Sequence, residues 1–134
     1  MKLSNFKAKS QATVELKNPL TFDTLLSDAG EPITLSIHGK ASEKYRKHEL
    51  SQTNSLIAKM DSKVKNKQTA EKLLSERVEF MANMSIGIEG FTLDDGKAIN
   101  TKEAFLEIYS DSDYFWLLEQ AETAFQDNSN FFKP

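Results

Sequence analysis

Chemistry needs titratable or nucleophilic side chains at workable spacings, and this chain offers few. His38 and His48 are its only histidines. They lack the H-x-x-x-H-type spacing that sets two imidazoles on one helical face for zinc, so both read as structural. The acidic clusters are Asp94-Asp95-Gly96 and Asp111-Ser112-Asp113. A calcium loop needs oxygen ligands at alternate positions, a mid-loop glycine and a distal glutamate. The first cluster runs into Lys97 and the second has no glycine. They read instead as a tight turn and a helix cap, where such residues bond their own backbone. No serine sits in a Gly-x-Ser-x-Gly elbow, and Gly87 and Gly90 do not make a phosphate loop. There is no cysteine, which removes disulfides, thiolate metal sites and cysteine nucleophiles. The residues predict no catalytic group, no metal ligand, no cofactor and no enzyme.

The aromatic residues are the better candidates for function. Trp116 falls on the opposite side of the last predicted helix from Leu118, Ala121 and Phe125. With Phe131 and Phe132 it can form an apolar surface patch of the kind that marks a protein-interaction site. The alternative is that Trp116 folds under the N-terminal strands as core.

The 134 residues are enough for one domain with a single core. With 39% hydrophobic and 28% charged residues the composition is that of a globular chain. A net charge of −3 argues against a nucleic-acid binder, whose affinity rests on Lys and Arg neutralising phosphates. Lys59, Lys63, Lys65 and Lys67 do cluster mid-chain, where they read as a solvated helix face. No stretch approaches the ~20 apolar residues of a membrane span, and the N-terminal residues lack a signal-peptide run. The expected location is the cytoplasm, with neither membrane nor nucleic acid as partner.

The elements that must position these residues follow from periodicity. Residues 1–11 are polar and expected to be disordered. Ala12, Val14 and Leu16 alternate with polar residues, as do Ile33, Leu35 and Ile37, which predicts two antiparallel strands within 12–38. Asn18-Pro19 closes the first and Gly30-Glu31-Pro32 opens the second, leaving a long connection from Leu20 to Asp28. Two strands alone are marginal in water, so the pair must lie on helices. Ser42 is the predicted N-cap of a helical region over 42–85. Leu56, Ile57, Met60 and Val64 make one stripe there, and Ala70, Leu73, Leu74, Val78 and Met81 another. The polar stretch between them is compatible with two helices broken near Asn66–Thr69 or with one kinked helix. Residues 86–99 read as an extended link with Ile86, Ile88 and Phe91 inward, followed by the Asp94-Asp95-Gly96 turn. Asn100 with Glu103 resembles a capping box, starting a helix at Thr101 that faces Ala104, Phe105 and Ile108 to the core. Asp111 or Ser112 caps a final helix with Tyr114, Leu117, Leu118, Ala121 and Phe125 on one face, so that 100–128 is a helical hairpin and 129–134 a tail. The predicted fold is α+β and mostly α: one domain over 1–134, a two-stranded antiparallel pair packed on a bundle of about four helices.

The order of several short motifs resembles the tail assembly chaperones of long-tailed, siphovirus-like bacteriophages and prophages. Gly39-Lys40-Ala41-Ser42-Glu43-Lys44-Tyr45-Arg46 is similar to the family's turn into a helix that begins with tyrosine and arginine. Ile88-Glu89-Gly90-Phe91 stands where a Gly-Trp-x-Gly-like link is usual, and Asp95-Gly96-Lys97-Ala98-Ile99 matches a turn into a hydrophobic residue. Asn100-Thr101-Lys102-Glu103-Ala104 is similar to the family's helix start. Glu119-Gln120 with Asn130-Phe131 matches its usual end. Phe91 departs from the usual tryptophan, and the Leu20–Asp28 connection is longer than the family leads one to expect. The resemblance covers most of the chain from Val14 on, and its weight lies in the order of the motifs.

The resemblance implies a non-enzymatic role. Such chaperones bind the long, hydrophobic tape measure protein in the host cytoplasm and keep it soluble. They recruit tail tube protein around it and are absent from the finished virion. Their genes commonly also make a longer, frameshifted form, of which this chain would be the short version. Self-association into a homo-oligomer is a companion expectation. The rival from another class is a phage or host adaptor or inhibitor that binds a different protein. A nucleic-acid regulator working through Lys59–Lys67 is a distant third.

Overall fold

The structure, a computed structural model, describes residues 1–62 and 70–132, with the backbone alone for 55–62. Its strands and helices are β1 (Gln11–Glu15), β2 (Thr34–His38), α1 (Glu43–Ser62), α2 (Ala70–Met84), β3 (Ser85–Thr92), β4 (Ala98–Ile99), α3 (Lys102–Ser110) and α4 (Phe115–Gln126). The α+β class holds, but the sheet has four antiparallel strands in the order β1-β2-β3-β4, not two. The expected extended link over 86–91 is a full strand in the sheet, and Ala98-Ile99 is its edge partner. The physical reason is a row of cross-strand neighbours: Val14 opposes Leu35, Leu35 opposes Ile88, and Ile88 opposes Ile99. Such pairs are the unit of sheet stability, and Ile88 and Ile99 cover what a two-stranded pair would leave open.

The alternation read in the first two strands is the one the fold uses. Ala12, Leu16, Ile33, Leu35 and Ile37 are all buried. β3 follows α2 with no residue between, and Ser85 there bonds the Met81 carbonyl (2.7 Å) and the Tyr109 hydroxyl (2.8 Å) of α3. Burial raises the phenol pKa of Tyr109 well above its ordinary value, so it remains a neutral hydroxyl in that bond. Gly90 adopts φ +102 where β3 passes Ile33, a backbone state that a side chain would oppose.

The helices cover this sheet. Val78, Met81, Ala82 and Met84 of α2, Ala104, Phe105, Ile108 and Tyr109 of α3, and Leu117, Leu118, Ala121, Ala124 and Phe125 of α4 complete one core cluster. Several sequence expectations shift. Leu73 and Leu74, placed on the core stripe, are 46% and 50% exposed. Tyr114 lies in a 3-10 turn (Ser112–Tyr114) ahead of α4 and is exposed. The cap of α3 is Thr101, whose side chain accepts from the Ala104 N–H at 3.2 Å; the helix begins one residue later than Asn100 and Glu103 suggested. Ser42 does cap α1, accepting from the Tyr45 N–H at 3.1 Å. Residues 1–10, expected to be disordered, are exposed and hold a 3-10 turn at Leu3–Phe6. The break or kink near Asn66–Thr69 lies outside the described residues, as do the side chains of the stripe beginning at Leu56 and of the Lys59–Lys67 cluster. Among the described residues no helix is long and apolar enough to cross a membrane.

Candidate protein-interaction groove

The three aromatic residues singled out in the sequence are not brought together. Trp116 sits in the first turn of α4, whereas Phe131 and Phe132 follow its last turn. A helix of this length separates them by roughly 15 Å. Phe131 is 5% exposed and belongs to the core. Its ring covers Gly39, where an added Cβ would collide with it. Its carbonyl accepts from the Lys9 N–H at 2.7 Å. Asn130 donates to the Ala124 carbonyl at 3.0 Å, satisfying one of the free carbonyls at the helix end. Phe132 is half exposed and stands apart.

Trp116 instead lines a groove of about 540 Å³ between the β3–β4 hairpin and the α3–α4 junction. Phe91 and Leu93 come from the hairpin, Ile99 from β4, Ile108 from α3, and Trp116 and Leu117 from α4. The hairpin turn is closed by Gly96 N–H to Leu93 O (2.8 Å) and Leu93 N–H to Lys97 O (2.9 Å), which lifts Asp94 and Asp95 onto the rim. Glu107 and Asp111 stand on the rim from the helical side. Two of the four carboxylates have local work. Asp95 accepts from the Lys97 N–H at 3.0 Å and lies 3.7 Å from its ammonium, and Asp111 accepts from the Asp113 N–H at 2.9 Å. Among the described residues neither Asp94 nor Glu107 forms an ion pair, and no Lys or Arg lines the groove. An apolar floor under an acidic rim suits an apolar side chain flanked by cations. Sequence reading missed this groove because Asp94, Asp95 and Asp111 already had local explanations as turn or cap, and Glu107 stood out by nothing in its spacing.

A second apolar display lies on the connection between β1 and β2. Leu20, Phe22 and Leu26 are 87%, 78% and 58% exposed. This connection is a built loop, not a slack one. Asn18 accepts from the Leu20 N–H through its side chain (2.8 Å) and from the Phe22 N–H through its carbonyl (2.8 Å), while its own N–H donates to Asp23 O (2.8 Å). Leu25 N–H to Leu16 O and Ile33 N–H to Leu25 O, both 2.9 Å, tie the middle back to the sheet. At the base, the Gln120 amide of α4 clamps Lys17, accepting from its N–H (2.8 Å) and donating to its carbonyl (2.7 Å). Inside that frame Phe22 is held at φ +62, a strained state for a bulky residue. Gln120 therefore has a physical role that the Glu119-Gln120 motif did not disclose.

The histidines serve packing. His48 packs on Phe80 at 4.7 Å between ring centroids with the rings tilted by 51°, and Phe80 in turn meets the Tyr45 and Phe125 rings. His38 ends β2; burial, then the nearby Lys44 charge, lowers its pKa below the ordinary histidine value. Among the described residues no three His, Asp or Glu side chains gather into a metal-holding group. No protein-family model, curated protein or solved structure matches this chain, so the chemistry of its surfaces is what bears on function.

Proposed function

We propose that this chain is a tail assembly chaperone of long-tailed bacteriophages or prophages, a non-catalytic protein that binds the tape measure protein in the host cytoplasm and keeps it soluble. The observation that carries this reading is the ordered loop presenting Leu20, Phe22 and Leu26 to solvent. A domain of this size gains nothing in its own stability by holding a phenylalanine in water at positive φ; a partner that takes up those side chains gives the arrangement a use. Leu73 and Leu74 on α2 extend the apolar surface available to such a partner. A long apolar polypeptide offers many similar sites, so weak contacts summed over several copies of this chain hold it by avidity. Recruitment of tail tube protein, absence from the mature virion and a longer frameshifted form belong to the same reading.

The test is co-expression with the tape measure protein of the same genome, followed by mass determination of any soluble complex. The expected result is a tape measure protein that is insoluble alone and soluble with several copies of this chain. Unchanged solubility and no complex would remove the reading and leave the adaptor or inhibitor class in its place. Replacing Leu20, Phe22 and Leu26 together by serine is expected to abolish solubilisation while the fold persists.

A further inference from the structure

The groove beside Trp116 and the N-terminal segment of the chain are chemical complements. Residues 2–9 read Lys2-Leu3-Ser4-Asn5-Phe6-Lys7-Ala8-Lys9, and the first acidic residue of the chain is Glu15. The 3-10 turn Leu3–Phe6 buries nothing, leaving Leu3 89% and Phe6 59% exposed. Two large apolar side chains thus stand in water among three lysines that form no ion pair among the described residues. The groove is the converse: an apolar floor containing Trp116 under the carboxylates Asp94, Asp95, Glu107 and Asp111, with no Lys or Arg in its lining among the described residues and Lys97 beside Asp95 alone.

We infer that residues 2–9 of one copy dock in the Trp116 groove of a second copy, with Leu3 and Phe6 on the floor and the lysines facing the rim carboxylates. Placement within the fold supports an intermolecular contact. Lys9 is fixed to Phe131 and Ser10 to Gly39, at the β1 edge of the sheet. The groove lies against β4, the opposite edge, three strand spacings or about 14 Å away. Donor and acceptor are different surfaces, so the contact is heterologous: each copy that donates its segment still presents an empty groove. The inference stands independently of the tail-assembly reading.

A segment this short buries less than the ~1,200 Å² of a stable complex, so association belongs in the range of about 10–500 µM and weakens with salt. Sedimentation of the full chain over that range is expected to show concentration-dependent growth in mass, reduced at high salt. Lys7→Glu and Glu107→Lys change exposed residues on the two sides of the contact. Each variant alone is expected to stay monomeric where the unmodified chain associates, and an equimolar mixture to form a 1:1 dimer. The mixture works because it retains one intact segment and one intact groove. Trp116 is the only tryptophan, so its emission reports the groove directly. A synthetic peptide of residues 1–9 is expected to shift that emission saturably, and its Phe6→Ser version to leave it unchanged. Mass that stays monomeric to about 500 µM overturns the inference. So does unchanged association in either variant. A Trp116 emission that Phe6→Ser alters in the full-length chain independently of concentration also overturns it, because the segment then fills its own groove.

Discussion

The two ends of α4 treat similar side chains in opposite ways. At the C-terminal end Phe131 drops onto Gly39, Asn130 closes the Ala124 carbonyl, and Lys9 donates to the Phe131 carbonyl. Phe131 is dry there and its carbonyl is paired. At the N-terminal end Trp116 is only half buried, Phe115 is 60% exposed, and the helix begins without a side-chain cap bond. An aromatic residue near a helix end becomes core where the opposite surface has made room for it, and groove lining where it has not. Gly39, far away in sequence, makes that room.

The largest loss of stability is expected at the closed end of α4. Phe131→Ala is expected to lower unfolding free energy by about 3–5 kcal/mol, because the site cannot collapse over a lost ring. Phe132→Ala next to it stays within about 0.5 kcal/mol. Chemical denaturation of the two variants measures the contrast, and similar losses would mean that Phe131 is not core. Gly39→Ala comes next, costing about 1–3 kcal/mol through collision with the Phe131 ring. Its effect is expected to shrink in the Phe131→Ala background, where the ring is absent, and a double-mutant cycle reads that coupling.

Smaller changes sharpen the contrast between parts built for stability and parts built for display. Phe22→Gly is expected to raise stability by about 1 kcal/mol by relieving the positive φ, while weakening any capture of an apolar partner. A thermal melt and the co-expression assay together check both halves. The smallest effect is electrostatic. His38 has a lowered pKa in the folded chain, so protonation favours unfolding. Its contribution is fully present above the unfolded value of 6.5 and is lost as pH falls through the folded value. His38→Gln is expected to flatten the decline in stability just below pH 6.5, and an unaltered slope would count against the shift.

Legibility in the sequence followed how local each cause was. The alternation of Ile33, Leu35 and Ile37, the Ser42 cap and the core face from Leu117 to Phe125 depend on near neighbours, and periodicity exposes them. The strand Ser85–Thr92 was hidden because Gly87 and Gly90 remove side chains from its pattern and its partners Thr34–Ile37 lie far back in the chain. Leu73 and Leu74 fit a helical stripe but stand 46% and 50% exposed among the described residues, a fact that no spacing records. The groove was the least legible, since it exists only where a hairpin and a helix junction face each other. Trp116 was singled out by its type and its place on the last helix; Phe91, Leu93 and Ile99 were not singled out as groove lining.

The direct junction between α2 and β3 also orders events in time. The central ladder pairs Thr34 with Glu89 and Leu35 with Ile88, so it cannot close until the whole α1–α2 excursion has been made. Met84 ends the helix and Ser85 begins the strand, so docking α2 sets where β3 can pair. During synthesis the β1–β2 pair emerges first, and its apolar face stays uncovered until α2, α3 and α4, which cover the sheet, have left the ribosome. For that interval the nascent chain is itself a sticky, half-covered sheet, exposed to aggregation until the last helix docks.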